Sequence, residues 1–326
     1  MSPVPQPILR ALNLPTDPAK CTLTSSSLGS GFTSTGTLSA TITNKDSTEE
    51  QRKYFIKTSK DGLIAKEMFH GEFESLNAIA HAVPGFCPRA LAWGPLANDK
   101  DSSSSKSYFL ATEFLDLRGA MGRSSGSGSG DETNTTSLAY RLGKLHTTPA
   151  PVDPQTGRRR YGFPVPTFCG NTRQPNKFYD SWAEFYANER LLTILSSSEE
   201  RNGSDAELRD LVEKTATIVV PHLLADGHLG YNSHGKGEGI QPVVVHGDLW
   251  SGNADTGRIV GNGTGEDGVG DVVYDPSACY AHSEFELGIM RMFGGFGTRF
   301  FEEYHGVVAK TEPVEEYEDR VRLYEL

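Results

Sequence analysis

The first part of the chain contains runs of apolar and β-branched residues that are typical of strands. A small-residue stretch, Ser25 to Thr37, continues into β-branched positions up to Thr43 and predicts a hairpin with a flexible tip. Two apolar runs, Lys53 to Lys57 and Tyr108 to Phe114, predict further strands. We therefore expect the amino-terminal part of the protein to be rich in sheet.

One helix interrupts these predicted strands. Apolar residues recur at steps of three and four between Leu63 and Val83, and Pro84 follows the last of them. Glu72 shares the apolar face of this helix with Leu76 and Ile79. Because an unpaired carboxylate in an apolar stripe is costly, we expect Glu72 to have a cationic partner.

The second half of the chain has mainly helical spacing. It begins after a tract from Gly119 to Thr136 that is dominated by Ser and Gly, which we interpret as a linker or an insertion. Two short apolar runs, Val243 to Val245 and Val272 to Tyr274, flank a glycine-rich stretch and predict a small hairpin. The predicted helices cover Ser137 to His146, Ser181 to Ser196 and Asp205 to Ala225.

This order of elements predicts an α+β protein of two lobes. A sheet-rich lobe with one helix should occupy residues 1–116, the linker residues 117–136, and a helical lobe residues 137–326. A chain of 326 residues is long enough to bury a substantial core in such an arrangement.

Composition narrows the range of functions. The net charge of -11 argues against nucleic acid as a partner. The chain has no apolar run long enough to span a bilayer and no signal-peptide pattern, so we expect no membrane partner and a cytoplasmic location. The four cysteines form no CxxC pair and are expected to be reduced. These features leave the oligomeric state open.

The strongest chemical signal follows the run Val243 to Val245. The sequence His-Gly-Asp-Leu-Trp-Ser-Gly-Asn places Asp248 and Asn253 five positions apart, as in the catalytic loop of a kinase. Asp248 could accept the proton of an attacking hydroxyl, and Asn253 could hold Mg²⁺ through a neutral oxygen. The alternative is a turn in which the Asp and Asn side chains cap backbone amides, which the Asn spacing and the preceding valines make less favourable.

Three further residues complete a predicted phosphoryl-transfer site. Asp275 ends the second apolar run and is a natural second ligand for Mg²⁺, although an Asp-Pro turn alone would be a weak signal. Lys57 closes a strand before the helix of Glu72, so we predict that the two form an ion pair that directs the lysine at the phosphates of ATP. Glu74 faces another side of the helix. A Glu72 that faces solvent at the edge of the stripe is the competing interpretation.

Two weaker signals concern ATP. Gly29, Ser30 and Gly31 in the small-residue hairpin would allow close approach of the backbone to phosphates, although the full glycine-loop pattern is missing and an ordinary flexible turn is the alternative. The segment Glu113, Phe114 and Leu115 ends a strand before the linker, where a kinase hinge would offer backbone groups to adenine. Together these features predict a protein-kinase-like two-lobe fold that uses ATP and Mg²⁺.

The chain resembles the fructosamine-3-kinase (ketosamine-3-kinase) family over most of its length, from about Ser25 to Leu326. The resemblance rests on the loop His246 to Asn253, with its HGDLWSGN sequence, and on three other motifs. These are Met68 to Glu72 (MFHGE), Phe168 to Asn176 (FCGNTRQPN) and the run Tyr274 to Leu287 followed by Met292 to Phe296.

This resemblance implies a specific reaction. Members of the family phosphorylate the third hydroxyl of a ketosamine, such as a fructosamine or ribulosamine on a protein lysine or a free amine, and the unstable product then loses its sugar. The resemblance gives Asp248, Asn253, Asp275, Lys57 and Glu72 the roles described above. It also makes Trp250 and His282 candidates for the sugar pocket, although a Trp in such a loop can simply pack.

The sequence departs from the family pattern in three places. Ser30 to Phe32 stand where members often have a cysteine, so we expect no thiol-based control through that hairpin. The Ser/Gly tract and the stretch Gly257 to Gly270 resemble insertions. Members usually continue beyond a segment like Arg322 to Leu326 with another helix, which leaves open whether the sequence is truncated there.

Other functions remain as alternatives. An aminoglycoside or choline phosphotransferase would use the same Asp248, Asn253 and Asp275 with another acceptor. Protein kinase activity is disfavoured because the loop lacks the HRD form and no APE segment follows Asp275. A catalytically silent pseudokinase acting as a binding module is disfavoured because every chemical position is filled.

Overall fold

The computed structural model describes residues 4–26, 33–96, 106–117, 137–260 and 268–326. The chain divides into two compact units. The first contains Met1–Glu132 together with Asp255–Tyr274, and the second contains Thr133–Ala254 together with Asp275–Leu326. Gly29, Ser30, Gly31 and the Ser/Gly tract lie outside the described residues, so their predicted roles stay predictions.

In the part of the chain that the structure describes, the first unit is built on a seven-stranded sheet. Its strands run in the order β1-β2-β3-β5-β9-β10, and β4 pairs with β5 beside this path. The pairs from β1 to β5, and the pair of β5 with β9, are antiparallel. The strands are β1 (Cys21–Ser26), β2 (Ser34–Thr43), β3 (Glu49–Ser59), β4 (Ala90–Pro95), β5 (Tyr108–Leu117), β9 (Ala254–Val260) and β10 (Gly270–Val273).

Side chains that face one side of the central strands form the core of this unit. Leu38 of β2 and Ile56 of β3 point into it and are almost completely buried. A short helix, α1 (Gln6–Ala11), adds Ile8 and Leu9 to the same cluster. Each such apolar side chain contributes roughly 1.5–3 kcal/mol by leaving water, so α1 is an integral part of the sheet-rich unit.

The predicted helix of the first unit is present as α2 (Leu63–Ala82). Its buried side includes Phe69, Leu76 and Ile79, the apolar stripe that the spacing predicted. The helix ends where Pro84 and Gly85 follow, and Gly85 has a positive φ of 76°. A positive φ is unfavourable for most other residues, so this glycine supports the change of direction after α2.

The predicted hairpin between Val243 to Val245 and Val272 to Tyr274 is wrong. The first run is β8 (Val243–Val245), and it pairs antiparallel with β11 (Cys279–Ala281). The second run is β10, which is the neighbour of β9 in the large sheet. The predicted boundary between the lobes also differs from the structure. Asp255–Tyr274 belongs to the first unit, whereas we expect from the sequence that all of 137–326 lies in the second.

The second unit is mainly helical, as predicted, with short strand pairs. Besides β8 and β11, β6 (Thr167–Cys169) and β7 (Thr172–Gln174) form a two-stranded sheet. Two long helical segments each contain a π-helical stretch, at Tyr186–Leu192 and Thr215–Val219. The α-helices are α3 (Leu138–His146), α4 (Trp182–Phe185), α5 (Thr193–Asn202), α6 (Ala206–Lys214), α7 (Val220–Leu224), α8 (Phe285–Phe293), α9 (Thr298–His305) and α10 (Tyr317–Tyr324).

An aromatic cluster joins three helices of the second unit. Trp182 of α4 is completely buried, and its ring nitrogen donates to the hydroxyl of Tyr324 in α10 at 2.8 Å. Phe285 of α8 packs against both rings. Nearby, the buried pair Glu284 and Arg320 is joined at 2.8 Å. These contacts fix α8 in place, and α8 supports the loop that follows β8.

No helix in the described ranges is long and apolar enough to cross a membrane.

Candidate active site

The loop after β8 presents Asp248 in the second unit. Gly247 has a positive φ of 80°, and a side chain there would collide with the carbonyl oxygen of Ser277. Glycine is therefore required at the middle position of the His-Gly-Asp motif. The chain then turns through a short 3-10 helix, Ser251–Asn253, which brings Asn253 back toward Asp248.

Glu286 of α8 organises the backbone of this loop. Its carboxylate is completely buried and accepts hydrogen bonds from the main-chain N–H groups of His246, Gly247 and Leu249. The pKa of Glu286 is lowered: burial raises it, but hydrogen bonding and the nearby charges of His146 and His246 outweigh that effect. An ionised Glu286 thus holds the loop through three donors.

Both carboxylate oxygens of Asp248 have hydrogen-bond donors. The thiol of Cys169 lies 3.3 Å from Oδ1, and the amide nitrogen of Asn253 lies 3.2 Å from Oδ2. The pKa of Asp248 is raised to about 6: burial is the main cause, the negative charges of Glu286 and Asp275 act in the same direction, and the two hydrogen bonds oppose them. Such a pKa suits a group that takes up a proton near neutral pH.

Asn253 is oriented with its amide oxygen available. Its nitrogen donates to the main-chain oxygen of Asp248 at 2.8 Å as well as to Oδ2. Within the described residues its Oδ1 takes no hydrogen bond, so this oxygen could bind a hard cation.

Asp275 is exposed and follows β10 in an unusual conformation. Its φ is 56°, in the left-handed region that Asp enters more readily than most residues. Its negative charge contributes to the raised pKa of Asp248. No cluster of three His, Cys, Asp or Glu side chains in the described part of the chain could hold a metal ion. The amide oxygen of Asn253 and the carboxylate of Asp275 are oxygen groups of the kind that could bind Mg²⁺ together with phosphates and waters.

The predicted ion pair in the first unit is confirmed. Lys57 Nζ lies 2.7 Å from Glu72 Oε1, and both side chains are mostly buried. Glu74 instead approaches His70 at 3.5 Å, one helical turn earlier. The helix face that the sequence assigned to Glu72 is therefore correct.

The predicted hinge segment lies inside β5 of the first unit. The carboxylate of Glu113 is paired with Arg89, and Phe114 and Leu115 are in register with Val260 and Ile259 of β9. The side chain of Glu113 is thus engaged by Arg89. The contact of this segment with adenine stays a prediction.

The two candidates for the sugar pocket have different surroundings. Trp250 is 39% exposed, and its ring lies 5.9 Å from that of Phe293. His282 is only 2% exposed, and its ring nitrogens bond to Tyr324 and Thr311 at 2.9 and 2.8 Å. The structure argues against a sugar-binding role for His282, because both of its polar atoms are already used in the interior.

Sequence reasoning overlooked Cys169 and Glu286. Both lie in motifs that carried the family resemblance, but neither had a role assigned. Cys169 is 79 residues from Asp248 and Glu286 is 40 residues from His246. Only the folded chain shows these contacts.

These features define a class of protein. A loop carboxylate with an oriented amide, a second carboxylate after β10 and a buried Lys–Glu pair are the groups of an enzyme that transfers phosphoryl groups. The chain matches the fructosamine kinase family over residues 22–326 and belongs to that family.

Individual relatives agree with this assignment. The chain is 30% identical to the mouse ketosamine-3-kinase over 283 residues, which cover 85% of this chain and 81% of the relative. It is 29% identical to a chloroplastic protein-ribulosamine 3-kinase of rice, with 83% of this chain and 65% of the relative covered. The crystal structure of a putative fructosamine-3-kinase from Thermobifida fusca matches with a TM-score of 0.64 at 21% identity, covering 99% of this chain and 88% of the other.

Proposed function

We propose that this protein is an ATP- and Mg²⁺-dependent kinase that phosphorylates the 3-hydroxyl of ketosamines. The observation that carries the proposal is the Asp248 carboxylate, held by two donors beside an amide whose oxygen remains available. Membership of the fructosamine kinase family and the names of the mouse and rice relatives support this choice of acceptor.

Asp248 is the proton acceptor in this proposal. The acceptor hydroxyl oxygen attacks the γ-phosphorus of ATP and forms the new P–O bond. The bond to the bridging oxygen breaks, ADP leaves, and the hydroxyl proton passes to Asp248. A pKa of about 6 keeps this carboxylate ionised at neutral pH, ready to orient the hydroxyl and take its proton.

Asn253 and Asp275 are the proposed magnesium ligands. A bound Mg²⁺ would neutralise charge on the transferring phosphoryl group. Asn253 contributes a neutral oxygen, and the exposed Asp275 contributes a charged one. One full negative charge from the protein leaves the cation free to attract phosphate oxygens.

Lys57 is the proposed phosphate-binding cation. Glu72 holds its ammonium at 2.7 Å and limits its rotamers. Gly29, Ser30 and Gly31 remain candidates for backbone contacts with the phosphates, and Glu113 to Leu115 for adenine.

The acceptor side remains open to several substrates. Trp250 keeps an exposed apolar ring against which the C–H surface of a sugar could lie. We propose that ketosamines formed on protein lysines or free amines are accepted, that the 3-phosphate product loses its sugar, and that the enzyme acts in the cytoplasm. Its activity would then repair glycated amines.

ATP consumption by the purified full chain tests the proposal. The acceptors to compare are a fructosamine, a ribulosamine, an aminoglycoside and choline, each with and without Mg²⁺. We expect turnover with one or both ketosamines only when Mg²⁺ is present, and phosphate on the third carbon of the sugar by NMR. Preferred turnover of the aminoglycoside or choline would overturn the acceptor assignment. Inactivity of the folded protein toward all four would favour a binding module.

A further inference from the structure

Cys169 has a different hydrogen-bond partner from Cys21 and Cys87. The thiols of Cys21 and Cys87 are directed at the main-chain oxygens of Pro15 and Leu76, each at 3.2 Å. The thiol of Cys169 is directed at a carboxylate, Asp248 Oδ1, at 3.3 Å. Cys169 is also only partly buried, whereas Cys21 and Cys87 are interior.

The thiol is the donor in this contact. An ionised carboxylate can only accept hydrogen bonds. Burial, followed by the charge of Asp248, raises the pKa of Cys169 to about 12, so the sulfur keeps its proton at neutral pH. The S–H group can therefore donate to Oδ1 continuously under working conditions.

The hairpin that carries Cys169 is anchored on both strands. Thr167 of β6 receives a hydrogen bond from Asn176 at 2.8 Å, and Gln174 of β7 receives one from Ser277 at 3.1 Å. The carbonyl oxygen of Ser277 is also the group that crowds Gly247 beside Asp248. The sulfur is thus held by a hairpin that is tied to the neighbourhood of the loop itself.

Two donors on different oxygens restrict rotation of the carboxylate. Asn253 holds Oδ2 from within the loop, and Cys169 holds Oδ1 from the hairpin. With Cys169 removed, the carboxylate would be free to turn about its Cβ–Cγ bond, because Asn253 alone fixes one oxygen. Misplacement of a catalytic group by about 1 Å can lower a rate by roughly a hundredfold.

We propose that Cys169 is a positioning residue whose thiol hydrogen bond holds the Asp248 carboxylate in the orientation that receives the proton of the acceptor hydroxyl. The inference rests on the proposed function, since it takes Asp248 as the proton acceptor. Cys169 and Gly247 also both line a cavity of about 520 Å³ in the second unit, so the sulfur lies at a surface next to the loop.

The test compares Cys169→Ala, Cys169→Val and Cys169→Ser in the full chain, with the ketosamine that wild type uses best. Alanine and valine remove the donor, and valine also fills the space. Serine restores a hydroxyl donor. We expect kcat to fall about tenfold in the first two, near the value of one hydrogen bond to a charged group. KM values for ATP and ketosamine should stay within about twofold of wild type, and serine should recover most of the lost kcat.

Cys21→Ala is the matched control, because it also removes a thiol that donates to an oxygen, and it should keep the wild-type kcat. Unfolding midpoints identify any variant that is not folded. Wild-type kcat in a folded alanine or valine variant, or a folded serine variant as slow as alanine, would overturn the positioning role. Asp248→Asn separates the two proposals: if it remains active, the proposed function itself loses its proton acceptor.

Discussion

The Asn253 side chain holds Asp248 through hydrogen bonds to both its main chain and its carboxylate. The spacing of five positions between the two residues allows one amide to make both bonds while its oxygen stays available. Asp275, the second proposed magnesium ligand, has a backbone conformation that few other residues adopt easily. The chemistry of the site depends on which atoms of these residues are already bonded.

Magnesium dependence tests this reading of Asn253 and Asp275. Asn253→Ala and Asp275→Ala should each raise the Mg²⁺ concentration needed for half-maximal rate, because each removes an oxygen ligand from a hard cation. The measurement is ATP turnover over a magnesium titration. Asp271→Ala is the control. It removes a carboxylate of β10 that accepts a hydrogen bond from the Thr256 hydroxyl, and it should leave the magnesium titration unchanged. Unchanged curves for both site variants would remove the two residues from the metal site.

The role of a site residue could be predicted from the sequence where the residues that define it are close together in the chain. The Asp–Asn spacing and the Glu72 position in an apolar stripe are visible in a few consecutive turns of chain. The thiol of Cys169 and the carboxylate of Glu286 could not be assigned, because their partners lie 79 and 40 residues away. A local pattern contains no information about such distant partners.

At the scale of elements, α2 was predictable and β9 was not. The apolar stripe of α2 appears in the structure as the spacing predicted. β9 contains Asp255 and Gly257, which weaken a strand pattern, and its order comes from pairing with β5. Without β9 in the prediction, β10 had no strand partner other than β8, and this produced the incorrect hairpin.

The ion pair between Lys57 of β3 and Glu72 of α2 should show energetic coupling in catalysis. Lys57→Met and Glu72→Gln should each impair turnover, and the double variant should lose much less than the sum of the separate losses in activation free energy. The reason is that the second change removes a partner that no longer has a function. Steady-state kcat/KM for ATP, measured for wild type, the two single variants and the double variant, gives the coupling between the two residues. Glu74→Gln, on another face of α2, should have little effect. Strictly additive losses would show that Glu72 does not act through Lys57.

At the scale of the whole molecule, stability depends on polar groups enclosed in the core. His282 contacts Tyr324 and Thr311 inside the second unit, and burial lowers its pKa to about 4 from an ordinary 6.5. Between pH 6.5 and 4 the unfolded chain binds a proton at this site and the folded chain does not. Stability from this residue is therefore lost as the pH falls through that window, by up to about 3 kcal/mol.

Denaturant unfolding at pH 7.5 and pH 5 measures this contribution. His282→Gln keeps hydrogen-bonding capacity without a titrating ring, so its stability should fall less between the two pH values than that of wild type. His234→Gln changes an exposed histidine and should retain the wild-type difference. Equal pH dependence in His282→Gln and wild type would mean that another group causes the loss at acid pH.

The organisation into two units could be predicted only in part from the sequence. A sheet-rich and a helical region could be predicted from periodicity, but the return of Asp255–Tyr274 to the first unit could not. That return depends on strand pairing between positions more than a hundred residues apart, such as Leu115 and Ile259. Periodicity identifies elements, whereas their partners depend on the folded chain.

In the proposed reaction, Asp248 accepts the proton of the hydroxyl when phosphate is transferred to a ketosamine. The most direct test of this role is Asp248→Asn, measured for ATP binding by calorimetry and for ketosamine-dependent turnover. Asparagine keeps the shape of the side chain but cannot take up the proton. We expect ATP affinity close to wild type and a fall in turnover of at least ~100-fold. Turnover near the wild-type rate in the folded variant would show that Asp248 is not the proton acceptor.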